Sequence, residues 1–184
     1  MNKFSVIGNP INHSLSPMIH QEFAKEFGID LSYEKILSPV DAFNLTAEKF
    51  ISSGGLGFNI TLPFKINAYS FSENLTENAK AAGAVNTINI DNNIIYGENT
   101  DGAGLVNDLE NNLEQKIKDK VILVIGAGGA TQGILKPILD KNPEKYPASR
   151  LVTALERCSA RVRFKITDWE AITASPYPRP TQLR

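Results

Sequence analysis

Arginine is missing from the first 149 residues of this 184-residue chain. The sequence also holds one cysteine, Cys158, one tryptophan, Trp169, and two histidines, His13 and His20. A single cysteine excludes an internal disulfide framework and any cysteine-based zinc cluster. Two histidines without adjacent carboxylates make a poor metal site, so no metal is expected. Solvent-exposed loop and helix positions are the simpler reading of both. No apolar run approaches the length that crosses a membrane, and the N-terminus lacks the apolar core of a signal peptide. Charge of neither sign is in excess: 19 basic residues face 20 acidic ones, a net charge of -1. That balance argues against nucleic-acid or membrane-surface partners. The expectation is a cytoplasmic protein with a small-molecule ligand, working as a monomer or a homodimer. A hydrophobic content of 42% is enough for a packed core.

The missing arginines reappear abruptly. Arg150, Arg157, Arg161, Arg163, Arg179 and Arg184 all lie in the last 35 residues, and asparagine stops at Asn142. Up to Lys145 the net charge is -5, and beyond it +4. So sharp a change suggests a tail of different origin, by frameshift or fusion, against the simpler alternative of a basic surface extension. Tyr146-Pro147, Pro176, Pro178 and Pro180 make this region irregular in pattern.

Before the tail, strand and helix patterns alternate. Lys3 to Gly8 reads as a buried strand. A loop follows, with Ser16 as helix cap and Pro17 at the first helical position. Ile19, Phe23 and Phe27, spaced by four, mark one face of that helix, and Gly28 ends it. Residues 31 to 37 suit a second strand. Phe43, Ala47, Phe50 and Ile51 mark a second helix, stopped at Gly54-Gly55. From Gly57 to Lys65, Phe58 and Ile60 alternate with Asn59 and Thr61 as in a half-buried strand, which Pro63 ends. Two short helical segments follow, near 64 to 71 and 75 to 82. Val85 to Ile90 and Ile94 to Glu98 flank Asp91-Asn92-Asn93 as a hairpin. Val106, Leu109 and Leu113 mark a connecting helix. Lys120 to Ile125 is an unbroken apolar strand, and a helix with an internal Pro137 follows it. The class is α/β with a mostly parallel sheet. The chain divides into an N-terminal α/β substrate domain, 1–102, and an incomplete Rossmann-like dinucleotide-binding domain, 103–184, aberrant after about 142.

The chemistry-bearing residues fall at the ends of these strands. Gly126-Ala127-Gly128-Gly129-Ala130 joins strand to helix by a turn with almost no side chains. Such a turn lets a diphosphate approach backbone N–H groups and the helix dipole. About 20 positions on, where an NAD site would want an acid, the chain offers Arg150, which suits a 2′-phosphate. Three polar clusters come earlier: Ser14 with Ser16, then Asn59, Thr61 and Lys65, then Asn86 with Asn99, Thr100 and Asp101. Neutral donors and acceptors around one cation suit a polyhydroxylated acid. Lys65 and Asp101 can work as an acid/base pair, the carboxylate orienting the ammonium. The structural alternatives are helix capping for the serines and Asp101, and turn formation for the asparagines.

Five motifs in order resemble the shikimate dehydrogenase family: Gly8-Asn-Pro-Ile-Asn-His-Ser-Leu-Ser-Pro17, Asn59-Ile-Thr-Leu-Pro-Phe-Lys65, Gly83-Ala-Val-Asn-Thr87, Gly97-Glu-Asn-Thr-Asp-Gly102 and Gly126-Ala-Gly-Gly-Ala130. They cover residues 1 to about 142. The resemblance implies NADP-dependent interconversion of 3-dehydroshikimate and shikimate, in the route through chorismate to aromatic amino acids. It implies substrate contacts from Ser14, Ser16, Thr61, Lys65, Asn86 and Asp101, with Asn59 close by, and catalysis by Lys65 assisted by Asp101. It also implies a cofactor loop over Gly126 to Ala130 and a place near the cofactor for Glu77. The family's Asn-Arg-Thr phosphate motif is replaced by Tyr-Pro-Ala-Ser-Arg150-Leu-Val, and later family segments have no counterpart. Two other outcomes follow from those departures and from the pocket elements: a homologue that binds shikimate without turnover, or a quinate-using relative.

Overall fold

A computed structural model describes residues 1–124 and 129–143, with a further two-residue strand at Lys165–Ile166. Gly126, Ala127, Gly128 and Arg150 lie outside the described residues, as does the rest of the arginine-bearing tail apart from Lys165–Ile166.

Six strands form the central sheet: β1 Asn2–Gly8, β2 Leu31–Leu37, β3 Gly55–Ile60, β4 Asn74–Leu75, β5 Thr87–Asp91 and β6 Ile94–Glu98. Their order is β2-β1-β3-β5-β6-β4. β1 pairs in parallel with β2 and β3, while β5 runs antiparallel to both β3 and β6. β4 is parallel to β6, so β5 alone is reversed. The reversal comes from the expected hairpin. Asn92 (φ 50°) and Asn93 (φ 65°) take the left-handed conformations that a two-residue hairpin turn requires, and asparagine tolerates these better than most residues.

One sheet face is apolar and closed. Ile7, Phe58, Ile60 and Ile88 pack there against Phe43, Ala47 and Phe50 of α2 (Phe43–Ser52). Phe64, Ala68 of α3 (Lys65–Phe71), Ala79 of α4 (Glu77–Ala82) and Val85 complete the cluster. The period-of-four reading of α2 holds. The same reading of α1 (Ser16–Phe27) does not. Ile19, Phe23 and Phe27 are 43%, 53% and 70% exposed, and Ala24 is the residue α1 buries. Spacing fixes which residues share a helix face, but not whether another element covers it. Gly28 closes α1 in the left-handed conformation (φ 65°), its N–H bonding back to the last turn.

After β6 come α5 (Asp101–Asn107), a π-helical turn (Asp108–Asn112), a short β7 (Ile122–Leu123) and α6 (Gly129–Leu139). Val106, Ile117, Ile122 and Ile138 form a separate small core there, joined by Leu105, Leu109, Val124 and Ile134. α6 keeps Pro137 inside it, with Gly102 at the helix crossing: a Cβ on Gly102 would lie 2.5 Å from the Gly133 carbonyl oxygen.

Candidate active site

Period two on β3 builds the site and the core from adjacent residues. Phe58 and Ile60, each 3% exposed, enter the closed core, so Asn59 must face the other way. Thr61 follows just past the strand, its N–H donating to the Ile7 carbonyl at 3.0 Å. Gly8 leaves the room this needs, because a Cβ there would collide with the Thr61 methyl. The chain then turns, and Lys65 opens α3. From that position its Nζ donates to Asp101 Oδ2 at 2.5 Å, with the two side chains 16% and 27% exposed.

Around this pair lies a cleft of about 320 Å³. Ser14, Ser16, Asn59, Thr61, Lys65, Asn86 and Asp101 all line it, so every substrate-facing residue expected from sequence is brought to one place. The capping alternative fails for Ser16, which is the first helical residue after Leu15 in the cap position, and holds in part for Ser14, whose hydroxyl accepts from that first helical N–H. The Ser16 N–H donates to Ser14 Oγ at 3.3 Å, and the two hydroxyls lie 3.1 Å apart at the cleft wall. Asp101 is likewise the first residue of α5, with Thr100 before it.

Sequence reasoning missed the histidines. His13 is exposed, but it and His20 both line the cleft. The His20 ring stacks on Tyr33, with centroids 4.2 Å apart and planes 19° from parallel. Its Nδ1 lies 2.8 Å from the Ser16 carbonyl oxygen, which can only accept, so Nδ1 carries a proton. The available signal was modest: His20 sits four residues after Ser16, one helical turn along the same face. Burial pushes the Tyr33 phenol well above its ordinary range, the nearby Ser16 hydroxyl acting weakly the other way, and the phenol stays neutral.

Asn86 is set by its surroundings. The Thr100 N–H donates to its Oδ1 at 3.0 Å, which turns its amide nitrogen towards Asp101 Oδ1 at 2.7 Å. Asn99, fully buried, donates to the Ala84 carbonyl and accepts from the Asp101 N–H. The cleft thus holds one cation and one carboxylate, paired, among neutral donors and acceptors. That arrangement can bind a small polyhydroxylated molecule and exchange a proton with one of its oxygens.

Gly129 and Ala130 open α6 beside this pair. A Cβ on Gly129 would sit 3.9 Å from Lys65 Cδ, ordinary contact with room to spare. Glu77 is the first residue of α4, exposed, with a carboxylate oxygen 2.9 Å from Lys80 Nζ. The Lys80 ammonium holds its carboxyl below the usual range, with a smaller pull from Lys136 on α6. No group of three or more potential metal ligands occurs among the described residues, and none of their helices is long and apolar enough to cross a membrane.

Fold and cleft together are those of an α/β protein with a polar cleft at its strand ends, the usual place for a ligand in this class. Comparison with known proteins makes this specific. Residues 6–88 match the family model of the shikimate dehydrogenase substrate binding domain. The NADP(+) shikimate dehydrogenase of Ruthia magnifica subsp. Calyptogena magnifica is 60% identical over 143 residues, covering 78% of this chain and 54% of the relative. That of Laribacter hongkongensis is 46% identical over 175 residues, 95% of this chain and 63% of the relative, a match that takes in much of the arginine-bearing tail. Among solved structures, the shikimate 5-dehydrogenase of Thermus thermophilus in complex with NADP(H) and shikimate superposes with a TM-score of 0.71 at 31% identity. That match covers 76% of this chain and 52% of the other. The chain is a homologue of the shikimate dehydrogenases, and it spans about half to three-fifths of the length of these relatives.

Proposed function

We propose that this chain binds shikimate and 3-dehydroshikimate in the Lys65–Asp101 cleft and takes part in their NADP-dependent interconversion. The observation that carries this reading is the convergence of all seven expected residues on one cleft, with Lys65 Nζ bonded to Asp101 at its base. Ser14, Ser16, Asn59, Thr61 and Asn86 offer the hydroxyl and amide groups that a carboxylate and several hydroxyls demand. Lys65 is the group placed to give a proton to the ketone oxygen, or to take one from the alcohol. Asp101 accepts from the Lys65 ammonium and keeps it aimed into the cleft.

When bound, NADPH supplies the hydride. The residues fit that cofactor where they can be described: α6 opens on two residues without bulk, Gly129 and Ala130, and its N-terminal N–H groups favour a phosphate. With Gly126, Ala127 and Gly128 they would hold the diphosphate, and Arg150 would meet the 2′-phosphate. Glu77 would border the site from α4. The separate apolar clusters on either side of Gly102 support a division into a substrate domain, 1–102, and a cofactor domain, 103–184.

Calorimetric titration of this chain with shikimate tests the binding half of the reading, with quinate as competitor. NADPH oxidation with 3-dehydroshikimate tests the rest. A folded chain with no saturable shikimate binding would end the proposal, and binding without NADPH oxidation would reduce it to a shikimate-holding module.

A further inference from the structure

Behind the cleft wall runs a chain of hydrogen bonds whose direction is fixed at one end. The Thr100 backbone N–H can only donate, so the atom of Asn86 facing it is Oδ1 (3.0 Å) and the amide nitrogen faces Asp101 (2.7 Å). The Thr87 hydroxyl also meets Asn86 Oδ1, at 3.0 Å, and must donate its single hydrogen there. Its oxygen is then left to accept from Asn59 Nδ2 at 3.1 Å. That turns Asn59 Oδ1 outward, where the Tyr33 hydroxyl donates to it at 2.5 Å. Every link from Tyr33 through Asn59, Thr87 and Asn86 therefore donates towards Asp101, and Lys65 meets the same carboxylate from the other side.

The sheet explains how residues so far apart in sequence align. Asn59 and Thr87 are direct partners across β3 and β5 and share a face. Tyr33 on β2 reaches across β1, level with Phe4, to the same face. It is 7% exposed and covered by the stacked His20 ring, so its hydroxyl has little competing water. Neither Tyr33 nor Thr87 lines the cleft.

We propose that Tyr33 and Thr87 are positioning residues, which act through Asn59 and Asn86 to orient Asp101 and the amide groups that meet the ligand. The assignment rests on the reading of the cleft as a shikimate site, but its first test does not. Hydrogen bonds in one chain polarise and orient each other, so loss of an end link should be felt at the far end.

Tyr33→Phe removes one hydroxyl and keeps the ring; Thr87→Val removes another and keeps the shape. In ¹⁵N spectra of the ligand-free chain, Tyr33→Phe should shift the side-chain amide signals of Asn86, which Tyr33 does not touch, as well as those of Asn59. Each variant should weaken shikimate binding by about five- to tenfold, the scale of one net hydrogen bond. The double variant should be little weaker than either alone, and Thr87→Ser, which restores the hydroxyl, should recover the parent affinity. Unmoved Asn86 signals in Tyr33→Phe would overturn the proposal whether or not shikimate binds. So would singles whose effects multiply in the double variant, since independent sites add in free energy. A parent chain that binds no shikimate but shows the Asn86 shift would fail the functional reading alone and leave the chain of bonds standing.

Discussion

The two faces of the central sheet are written by the same strands and share almost no chemistry. On β3, Phe58 and Ile60 lie in an apolar core with Phe43, Phe50 and Phe64, while Asn59, between them, faces a polar cleft. β5 repeats this, with Ile88 buried in the core and Thr87 bonded to Asn59 and Asn86 on the other face. Each face needs the other. The apolar side holds the backbone rigid, and rigid strands keep amide and hydroxyl groups within a hydrogen bond of each other across β3, β5 and the turn at Thr100. A site built this way sits one residue from the core, so substitutions at neighbouring positions should separate stability from chemistry.

The largest effect should come from the core side. Phe43 is 2% exposed, stacks on Phe64 with centroids 5.3 Å apart and meets Phe71 edge-on. Phe43→Ala should cost about 3–5 kcal/mol by urea denaturation, the usual penalty for such a cavity. Shikimate affinity of the fraction that stays folded should hardly change. A parallel loss of affinity would show that the two faces are not separable.

Next in size is the polar side. Lys65→Met should lower NADPH-linked turnover by about 10²-fold, the contribution of a positioned proton donor, and weaken shikimate binding much less. Its effect on unfolding should be small, because Lys65 lies at the edge of the core rather than in it. A variant that keeps near-parental turnover across the pH range would remove Lys65 from the proton transfer.

How much of this contrast could be read in advance follows from what each pattern encodes. β3 was legible because strict alternation states both faces at once, and the hairpin because Asn92-Asn93 suits a left-handed turn. The cleft residues were legible as a set because each stood at a strand end. α1 misled: Ile19, Phe23 and Phe27 share a face as expected, yet that face is exposed, since periodicity carries no information about a covering partner. His20 and Tyr33 were missed for a related reason. Their stacking joins a helix to a strand more than ten residues away, and the Tyr33–Asn59 bond spans 26 positions. Only the order of strands in the sheet brings such pairs together. The glycine loop lies outside the described residues apart from Gly129 and Ala130, so its reading rests on sequence.

A third test concerns the crossing of α5 and α6, the helices that bring Val106 and Ile138 to the small core. With only 2.5 Å between a Cβ on Gly102 and the Gly133 carbonyl oxygen, and 2.6 Å to Pro137, α5 and α6 cannot keep their approach around a methyl group. Gly102→Ala should cost about 1–3 kcal/mol, as overpacking does. It should also disturb Asp101, the preceding residue, and with it shikimate binding. An unchanged unfolding midpoint would mean that this crossing is not tightly packed.

The smallest expected effect lies on α4, at the surface. Glu77 has its carboxyl held below the usual range, chiefly by the hydrogen bond and charge of Lys80, with which it forms an exposed i,i+3 pair. The sign follows from linkage: a carboxyl that ionises more readily in the folded state than in the unfolded one adds stability once the pH exceeds its unfolded value. That contribution fades as the pH falls through the lower, folded value. Glu77→Gln should therefore be slightly less stable than the parent at neutral pH, and the gap should close in acid, where both chains are neutral at this position. Exposure and salt screening keep the gap small. Paired thermal melts at neutral and acid pH measure it, with Lys80→Ala as a reference that should remove most of the difference. A gap that widens on acidification would show that Glu77 acts through something other than its charge, and would detach it from the ion pair that the fold assigns to it.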